Sequence, residues 1–594
     1  MRVYNAQDYL AAEICFLCEV DIRGTIYRFS SFPIDLDTGD GFVFYGGNLE
    51  DPILAQSLTQ VGDVKLSANS ISLALVFPFN IAKRQINGIG IDNALVTLYF
   101  VTVKNGQVQQ TYDERIPYFT GVINEPIYGH PDRDEGFVEF SVENEVIFAD
   151  ISLLRALNGD AMSFDGFSYS HESLTTQGVI DYLYTDGIID RSVIREEGKI
   201  IPAIIGAPGI TYQADGTSLT FPGSPVYQFA EYFSPSFPAY LFILLAGHAV
   251  KATTVDLQDN AGNYLASAPV YHSTGARGNV FAYTYYRYGD LAYATNKDSR
   301  QYEYYARWLD GGGAISPYTG QELQYGGDLI VWVLNALQID FDREAFESVR
   351  PVLNQYIFAG YINDPSIKTY EFLQKYIIPF LPVSLAAGAR GIYPIIDHRN
   401  TDLFYNPRAS ITAGDSFERV SAIEPQQADV VNDLIVQYAP GFEQTLKFSF
   451  SGLGGGLSQS IGGSEYKGQV YIRAERLSGI ESPYEIVSPY CIISQQRYGV
   501  QSQTLELDYV HDRNTAIKIG LDYIRRKSLP EKKIRYQAPF ALGYYNIGDV
   551  IILTDEDIGF VETTVQIVGK EYSGAFWYYD VMYQENPIDN ERTI

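Results

Sequence analysis

Cys15 and Cys18, in the stretch EICFLCEV, have a spacing that can grip a metal ion or cycle between dithiol and disulfide. Either chemistry needs both sulfurs on one side of the backbone. The flanking residues read as a strand, where positions three apart face opposite sides. Cys491 stands alone, and no second Cys-x-x-Cys completes a four-ligand site. We therefore expect Cys15 and Cys18 to be buried small hydrophobes. Three cysteines do not describe a disulfide-stapled secreted chain either.

The other reactive residue types give no stronger pattern. His130, His171, His248, His272, His398 and His511 are scattered, and none pairs at metal-ligand spacing. His130 and His511 sit close to Asp in loops and read as solvated turns. DLDTGDGF (35–42) hints at a calcium loop, but Gly46 stands where the twelfth-position Glu belongs and Asp40 where the loop Gly belongs. It reads as an acidic turn. There is no H-E-x-x-H, phosphate-loop or G-x-S-x-G motif; in GLSQS (456–460), Ser460 replaces the last Gly. GLGGGL departs from the dinucleotide pattern, with no helix close behind it. The 72 acidic residues leave a glycosidase carboxylate pair open without selecting two of them. The sequence assigns no catalytic, cofactor-binding or metal-ligating residue and implies no cofactor.

What must position any function is a long, acidic, tyrosine-rich β chain. One core does not grow to 594 residues, so three or four domains are expected. Lys plus Arg number 42 against 72 Asp plus Glu, a net charge of −30, which argues against a surface that grips phosphates. The 48 tyrosines suit both β-structure and interfaces. MRVYNAQDYLAAE lacks the apolar run of a signal peptide. SPSFPAYLFILLAGHAV (234–250), with two prolines, falls short of a membrane span. A buried strand near Tyr240–Leu245 is expected there, and no stable membrane insertion.

Residues 1–150 read as all-β: SISLALVF, ALVTLYFVTV and GFVEFSVE are rich in β-branched and aromatic residues, separated by turn signals. In the last, Val138, Phe140 and Val142 share one face. Residues 151–325 read as an inserted, loop-rich β region whose tyrosines at 270–325 could form carbohydrate platforms. Residues 326–410 change to helical period. Asp364 can cap a helix with Pro365 in its first turn, and Phe372, Leu373, Tyr376, Ile377 and Phe380 make one apolar stripe. Residues 411–594 read as β with one helix from Asn514 to Lys527, buried through Ile517, Gly520, Leu521 and Ile524. SGLGGGLSQSIGGSE (451–465) reads as a mobile loop. In the closing strand, Trp577, Tyr579, Val581 and Tyr583 share a face. The fold class is mainly β with an α/β middle segment, in several domains.

Two phrases echo each other: FTGVINEP at 119–126 and FAGYINDP at 358–365. The Phe and Ile of each share a strand face, with Gly leaving a gap between them. The order of the pieces from QRYGVQSQ to TDEDIGF, with Thr515-Ala516 opening the helix and Gly548-Asp549 at the turn, resembles hub proteins at the tail tip of long-tailed bacteriophages. KIIPAIIGAPG, with Pro202 and Gly206, and GGDLIVWVLNAL followed by DPSIKTYEFLQKYIIPFLP, are similar to further parts of that family. Ser494 departs from its pattern, lying four residues before Tyr498 instead of three. The resemblance spans most of 190–570 and marks no catalytic residue. It implies a non-enzymatic homotrimer that continues the tail tube, with two tube-like β-barrels per chain plus inserted and C-terminal β domains. The barrels would be 1–150 and one to which 326–410 contributes, and the echoed phrases would be equivalent strands in them. The partners implied are distal tail and tube proteins, the tape measure protein and central tip or fibre proteins, with DNA passing through without specific binding. The location implied is the virion tail tip, after assembly in the host cytoplasm. A tail-borne cell-wall or polysaccharide hydrolase and a carbohydrate-binding tail protein are the alternatives.

Overall fold

The computed structural model describes residues 13–583 apart from internal stretches, the longest being 58–69, 171–201, 288–303 and 441–465. The protein is mostly β and multidomain, with a helical middle.

The first barrel is built from local strands: β1 (Glu13–Ile22), β2 (Thr25–Ser30), the hairpin β3 (Ile34–Asp37)–β4 (Phe42–Tyr45), β5 (Ile53–Ser57), β6 (Ser70–Val76), β7 (Leu95–Lys104), β8 (Gln107–Val108), β9 (Ile116–Tyr128) and β10 (Phe137–Glu143). The sheet runs β2-β1-β7-β9-β10-β6. Residues 46–49 close it: Ser30 N–H donates to Gly46 O at 2.8 Å, Leu49 N–H to Ser30 O at 3.1 Å and Val76 N–H to Asn48 O at 3.0 Å. Alternate residues of β1, β2, β6, β7, β9 and β10 fill the interior, among them Phe16, Cys18, Leu73, Leu98, Phe119 and Phe140. The other face of β1 is also buried, Cys15 and Leu17 packing against Ile34, Leu36 and Tyr45 of the β3–β4 hairpin. DLDTGDGF is the turn of that hairpin, where Asp37 Oδ1 accepts from Gly39 N–H at 2.7 Å.

The second barrel uses β11 (Ser410–Thr412), β12 (Glu418–Arg419), β13 (Glu424–Pro425), β14 (Lys532–Pro539), β15 (Val550–Asp555), β16 (Phe560–Ser573) and β17 (Phe576–Tyr583). Its circuit is β11-β15-β16-β17-β14-β12, closed where Gly414 bridges Phe417 between β11 and β12. Trp577, Tyr579 and Val581 fill its core with Tyr583 packed against it, as the alternation predicts. At the YYNIGDV turn Gly548 has φ +93°, and a Cβ there would fall 2.9 Å from the Ile395 side chain.

The two barrels are copies of one topology. β6, β7, β9 and β10 correspond to β14, β15, β16 and β17, with sheet orders β7-β9-β10-β6 and β15-β16-β17-β14. The registers superpose. Ile123 opposite Val142 matches Ile567 opposite Val581, and Tyr128 opposite Val138 matches Tyr572 opposite Trp577. Each long strand carries one extra residue, a bulge, between those two pairs. Ile71, Leu73 and Leu75 likewise match Ile534, Tyr536 and Ala538, all buried.

This corrects the echo. The equivalent of FTGVINEP is the middle of β16, which does not repeat the phrase. FAGYINDP supplies only the strand Gly360–Ile362, whose partner is Ala203–Ile205. Phe358 and Ile362 face the helical core, and the gap at Gly360 is occupied by the Tyr509 ring, 2.2 Å from where a Cβ would stand.

Residues 326–396 form that helical core instead of barrel wall. The helices Gly326–Ala336 and Arg343–Leu353 pack with Phe372, Leu373 and Ile377 of the expected stripe, while Tyr376 and Phe380 lie partly buried against them. Asp364 does not cap: it accepts from Ser366 N–H in a turn, and the helix begins at Thr369. The hairpin Val383–Gly388/Gly391–Ile396 covers one face of the second barrel through Ala386 and Ile395, against Val568 and Met582. Wall strands resume at Ser410.

The C-terminal region is not one β domain with one helix. An α/β unit is inserted between β13 and β14, with four strands and the helices Pro489–Tyr498 and Arg513–Lys527. Its ends are clamped together where Val431 N–H donates to Lys527 O at 3.0 Å. The second helix is capped by Asp512 and buries Ala516, Ile519, Gly520 and Ile524, a face rotated from the expected one; Ile517 and Leu521 lie at its margin. Gly520, common to both faces, lies at the closest approach, where a Cβ would meet Ile472 at 2.6 Å and Val436 at 2.7 Å. Phe237–Ala246 is the expected strand, buried at Ile243, Leu245 and Ala246, inside a seven-stranded sheet spanning residues 224–308.

Candidate functional site

The feature that distinguishes this molecule is the seam between its barrels. β5 pairs first with β6, Ile53 opposite Ser72 and Leu54 opposite Ile71. It then crosses to β16, where Leu54, Ala55, Gln56 and Ser57 oppose Tyr572, Glu571, Lys570 and Gly569. One edge of β16 is thus shared. β15 takes Phe560–Gln566, and β5 takes the part beyond the bulge. The result is a single wall of eight strands, β9-β10-β6-β5-β16-β17-β14-β12.

On the core side an aromatic cluster locks the seam. Tyr572 lies 5.2 Å from Phe16 and 5.0 Å from Trp577, and Trp577 lies 5.9 Å from Tyr118, all between ring centroids. Lys570 is buried among them. Its Nζ donates to Gly543 O at 2.7 Å and sits 4.4 Å from the Trp577 ring centroid, so the charge keeps a carbonyl and a π face in place of water.

The opposite face of the wall mixes polar and apolar residues: Ile127 is exposed opposite Glu139, and Met582, opposite Lys533, is covered by the 383–396 hairpin. Ser72 and Glu139 are exposed on the first barrel. On the second, Arg535 Nε donates to Asp580 Oδ1 at 2.8 Å and Nη1 to Glu571 at 3.0 Å, while Lys533 Nζ lies 3.1 Å from Asp580. Burial works against ionisation of Asp580, but hydrogen bonds from Arg535 and Lys533 and their charges outweigh it and hold the carboxyl below its usual range. Arg535 and Lys533 are therefore engaged by carboxylates. On this face Arg535 and Lys533 pair with Asp580 and Glu571, so that charges of both signs meet there.

The chemistry-bearing residues are dispersed. Cys15 and Cys18 point to opposite sides of β1, as the strand reading predicts, and burial pushes the Cys15 thiol up to about 11. Cys491 is buried in the α/β unit. His511 is buried, not solvated, and burial pushes it down to about 4. His248 is buried too and lowered to about 4, its Nε2 accepting from Ile204 N–H at 3.0 Å, which leaves Nδ1 to donate to Ala249 O. His130, His171, His398, GLSQS and residues 451–465 lie outside the described residues. Among the described residues no group of three or more His, Cys, Asp and Glu could hold a metal ion. Likewise among the described residues, no helix is long and apolar enough to cross a membrane.

Two buried polar centres escaped sequence reasoning. Arg399 joins Asp397 at 2.6 Å to Glu531 at 2.5 Å, all three buried, tying the helical core to the start of β14. Asn432 donates to Ser494 Oγ and Gly499 O and accepts from Gln501 N–H at 2.7 Å, while Ser494 Oγ donates to Ser528 O at 2.6 Å. No spacing rule links these positions. Each centre joins buried polar groups from separate elements, and what the arrangement does is hold those elements in register.

No family model matches the sequence, and no curated protein matches it. Among solved structures, the chain is similar to a tail protein from Neisseria meningitidis (8% identity, 96% of this chain and 97% of that one, TM-score 0.33). It is also similar to the 43 kDa tail protein of prophage MuSo2 from Shewanella oneidensis (8% identity, 97% and 99%, TM-score 0.31). A third is a chain of the virion of a native gene transfer agent particle (11% identity, 67% and 88%, TM-score 0.35).

Proposed function

We propose that this chain is a structural component of a phage tail, a hub at the tail tip in which three copies close around an axis and continue the tail tube. The observation that carries this reading is the seam: two barrels of one topology stand side by side, and β5 fuses four strands of each into one wall. A chain built this way contributes two equivalent wall segments, so a threefold ring presents a quasi-sixfold rim to a tube of repeated subunits. Such a rim fits tube and distal tail proteins on one side and tape measure, tip or fibre proteins on the other. The part of the wall's outer face that the 383–396 hairpin leaves open would line the passage. With Arg535 and Lys533 held by Asp580 and Glu571, it offers DNA charges already paired and a path without strong phosphate contacts. The role is architectural and involves no turnover.

Native mass spectrometry of the purified chain tests the assembly, expecting three times 66.5 kDa. Electron microscopy of the parent particle tests the position, expecting a threefold ring at the tail end around an open or plugged axis. A single copy at that position, or a copy outside the tail, overturns the reading.

A further inference from the structure

The seam inside one chain has an unused counterpart on each barrel. β16 is paired along one edge by β15 and then, beyond its bulge, by β5. Its equivalent β9 is paired along the same edge by β7, and the pairing continues only to Ile123, whose N–H donates to Ala94 O at 3.0 Å. From Glu125 to Tyr128 no described strand pairs with that edge, and Ile127 there is 67% exposed. The complementary element is equally defined. Leu54, which crosses the internal seam, stands opposite Ile71, and the position matching Ile71 is Ile534. Glu424 pairs with Lys533, which places Ile423 opposite Ile534 and makes it the counterpart of Leu54. Ile423 is 38% exposed and Val420 beside it 43%.

We propose that β9 of one copy takes the 420–425 segment of a second copy of this chain as its missing neighbour. The register repeats the internal seam, with Tyr128 opposite Ile423 and Ile127 opposite Glu424, as Tyr572 opposes Leu54 and Glu571 opposes Ala55. An open strand edge beside exposed apolar side chains is a template for strand addition, and here the partner's shape is written in the same chain. The two halves of the contact lie on different barrels, so the contact is head-to-tail and closes by rotation. The inference rests on the ring reading above and names its interface.

Cysteine cross-linking tests it on the full chain, because the native Cys15, Cys18 and Cys491 are buried. Chains carrying only Ile127→Cys and chains carrying only Glu424→Cys are mixed under mild oxidation. A covalent dimer is expected from the mixture and from neither variant alone. Ile127→Asp is expected to lower the assembled fraction at least tenfold at unchanged melting temperature, which separates lost docking from lost folding. A threefold native mass without the cross-link overturns this register and leaves the hub reading standing. The cross-link without a threefold mass leaves the edge pairing and overturns the hub. Covalent dimers from either variant alone overturn the head-to-tail contact.

Discussion

The two barrels share a topology but not a construction. The first closes on strands that follow one another between Glu13 and Glu143. The second gathers β11–β13 from 410–425 and β14–β17 from 532–583, with the α/β unit folded in between. Its closure therefore depends on the insert returning the chain to its starting point, which the Val431–Lys527 hydrogen bond and the Asn432 centre accomplish. The comparison teaches that a barrel can tolerate a long insertion at an edge connection if the insert's own ends meet. The entropy of closing a loop grows only slowly with its length.

Four measurements can break or sharpen this contrast. The largest effect is expected from Arg399→Met, which leaves Asp397 and Glu531 buried without their cation and costs about 3–5 kcal/mol. Chemical denaturation should show the second barrel lost first, and replacing both acids with Leu alongside Arg399→Met should restore most of the loss. Next comes Trp577→Ala, which removes the indole that serves both the second core and the seam. A cost of about 3–4 kcal/mol is expected, with Lys570 exposed to solvent, readable by denaturation and by amide exchange along β5. Asn432→Ala should cost about 2 kcal/mol, since the Gly499 carbonyl and the Gln501 amide lose a buried partner. It should loosen the second barrel and leave the first unchanged, whereas equal loosening of both would break the comparison.

The last measurement is the pH dependence. His248 and His511 are held neutral by burial, each lowered to about 4. The unfolded chain therefore binds protons there that the folded chain does not, and stability is full above about pH 6.5 and falls as pH drops toward 4. Neither histidine lies in a barrel wall. The loss should appear in the seven-stranded sheet and the α/β unit before the barrels, and a His511→Gln variant should show a shallower decline in melting temperature over that range.

Much of the local structure was legible. Val138, Phe140 and Val142 alternate into one core and Trp577, Tyr579 and Val581 into the other, because a strand's period of two shows directly in the residue types. The opposed faces of Cys15 and Cys18 follow from the same period. The helix Pro489–Tyr498 was not seen, because PYCIISQQRY has no apolar stripe; Cys491 and Ser494 are its buried residues. Pro489 in its first turn and Gly499 after its end, with φ +70°, are the signals that mark it. The wall could not be read at all, since neither the echoed phrase nor the change of period near 326 points to β5 or β16.

By itself the sequence determined which residues turn inward along each strand and helix, and where the chain must bend, because those depend on side-chain type at short range. Only the tertiary structure decided which strand lies beside which. Every strand offers the same backbone donors and acceptors at its edge, so nothing in β5 names β16, more than 500 residues away, as its partner. That choice came from two cores closing against each other around Tyr572, Trp577 and the buried Lys570, and it turned two barrels into one wall.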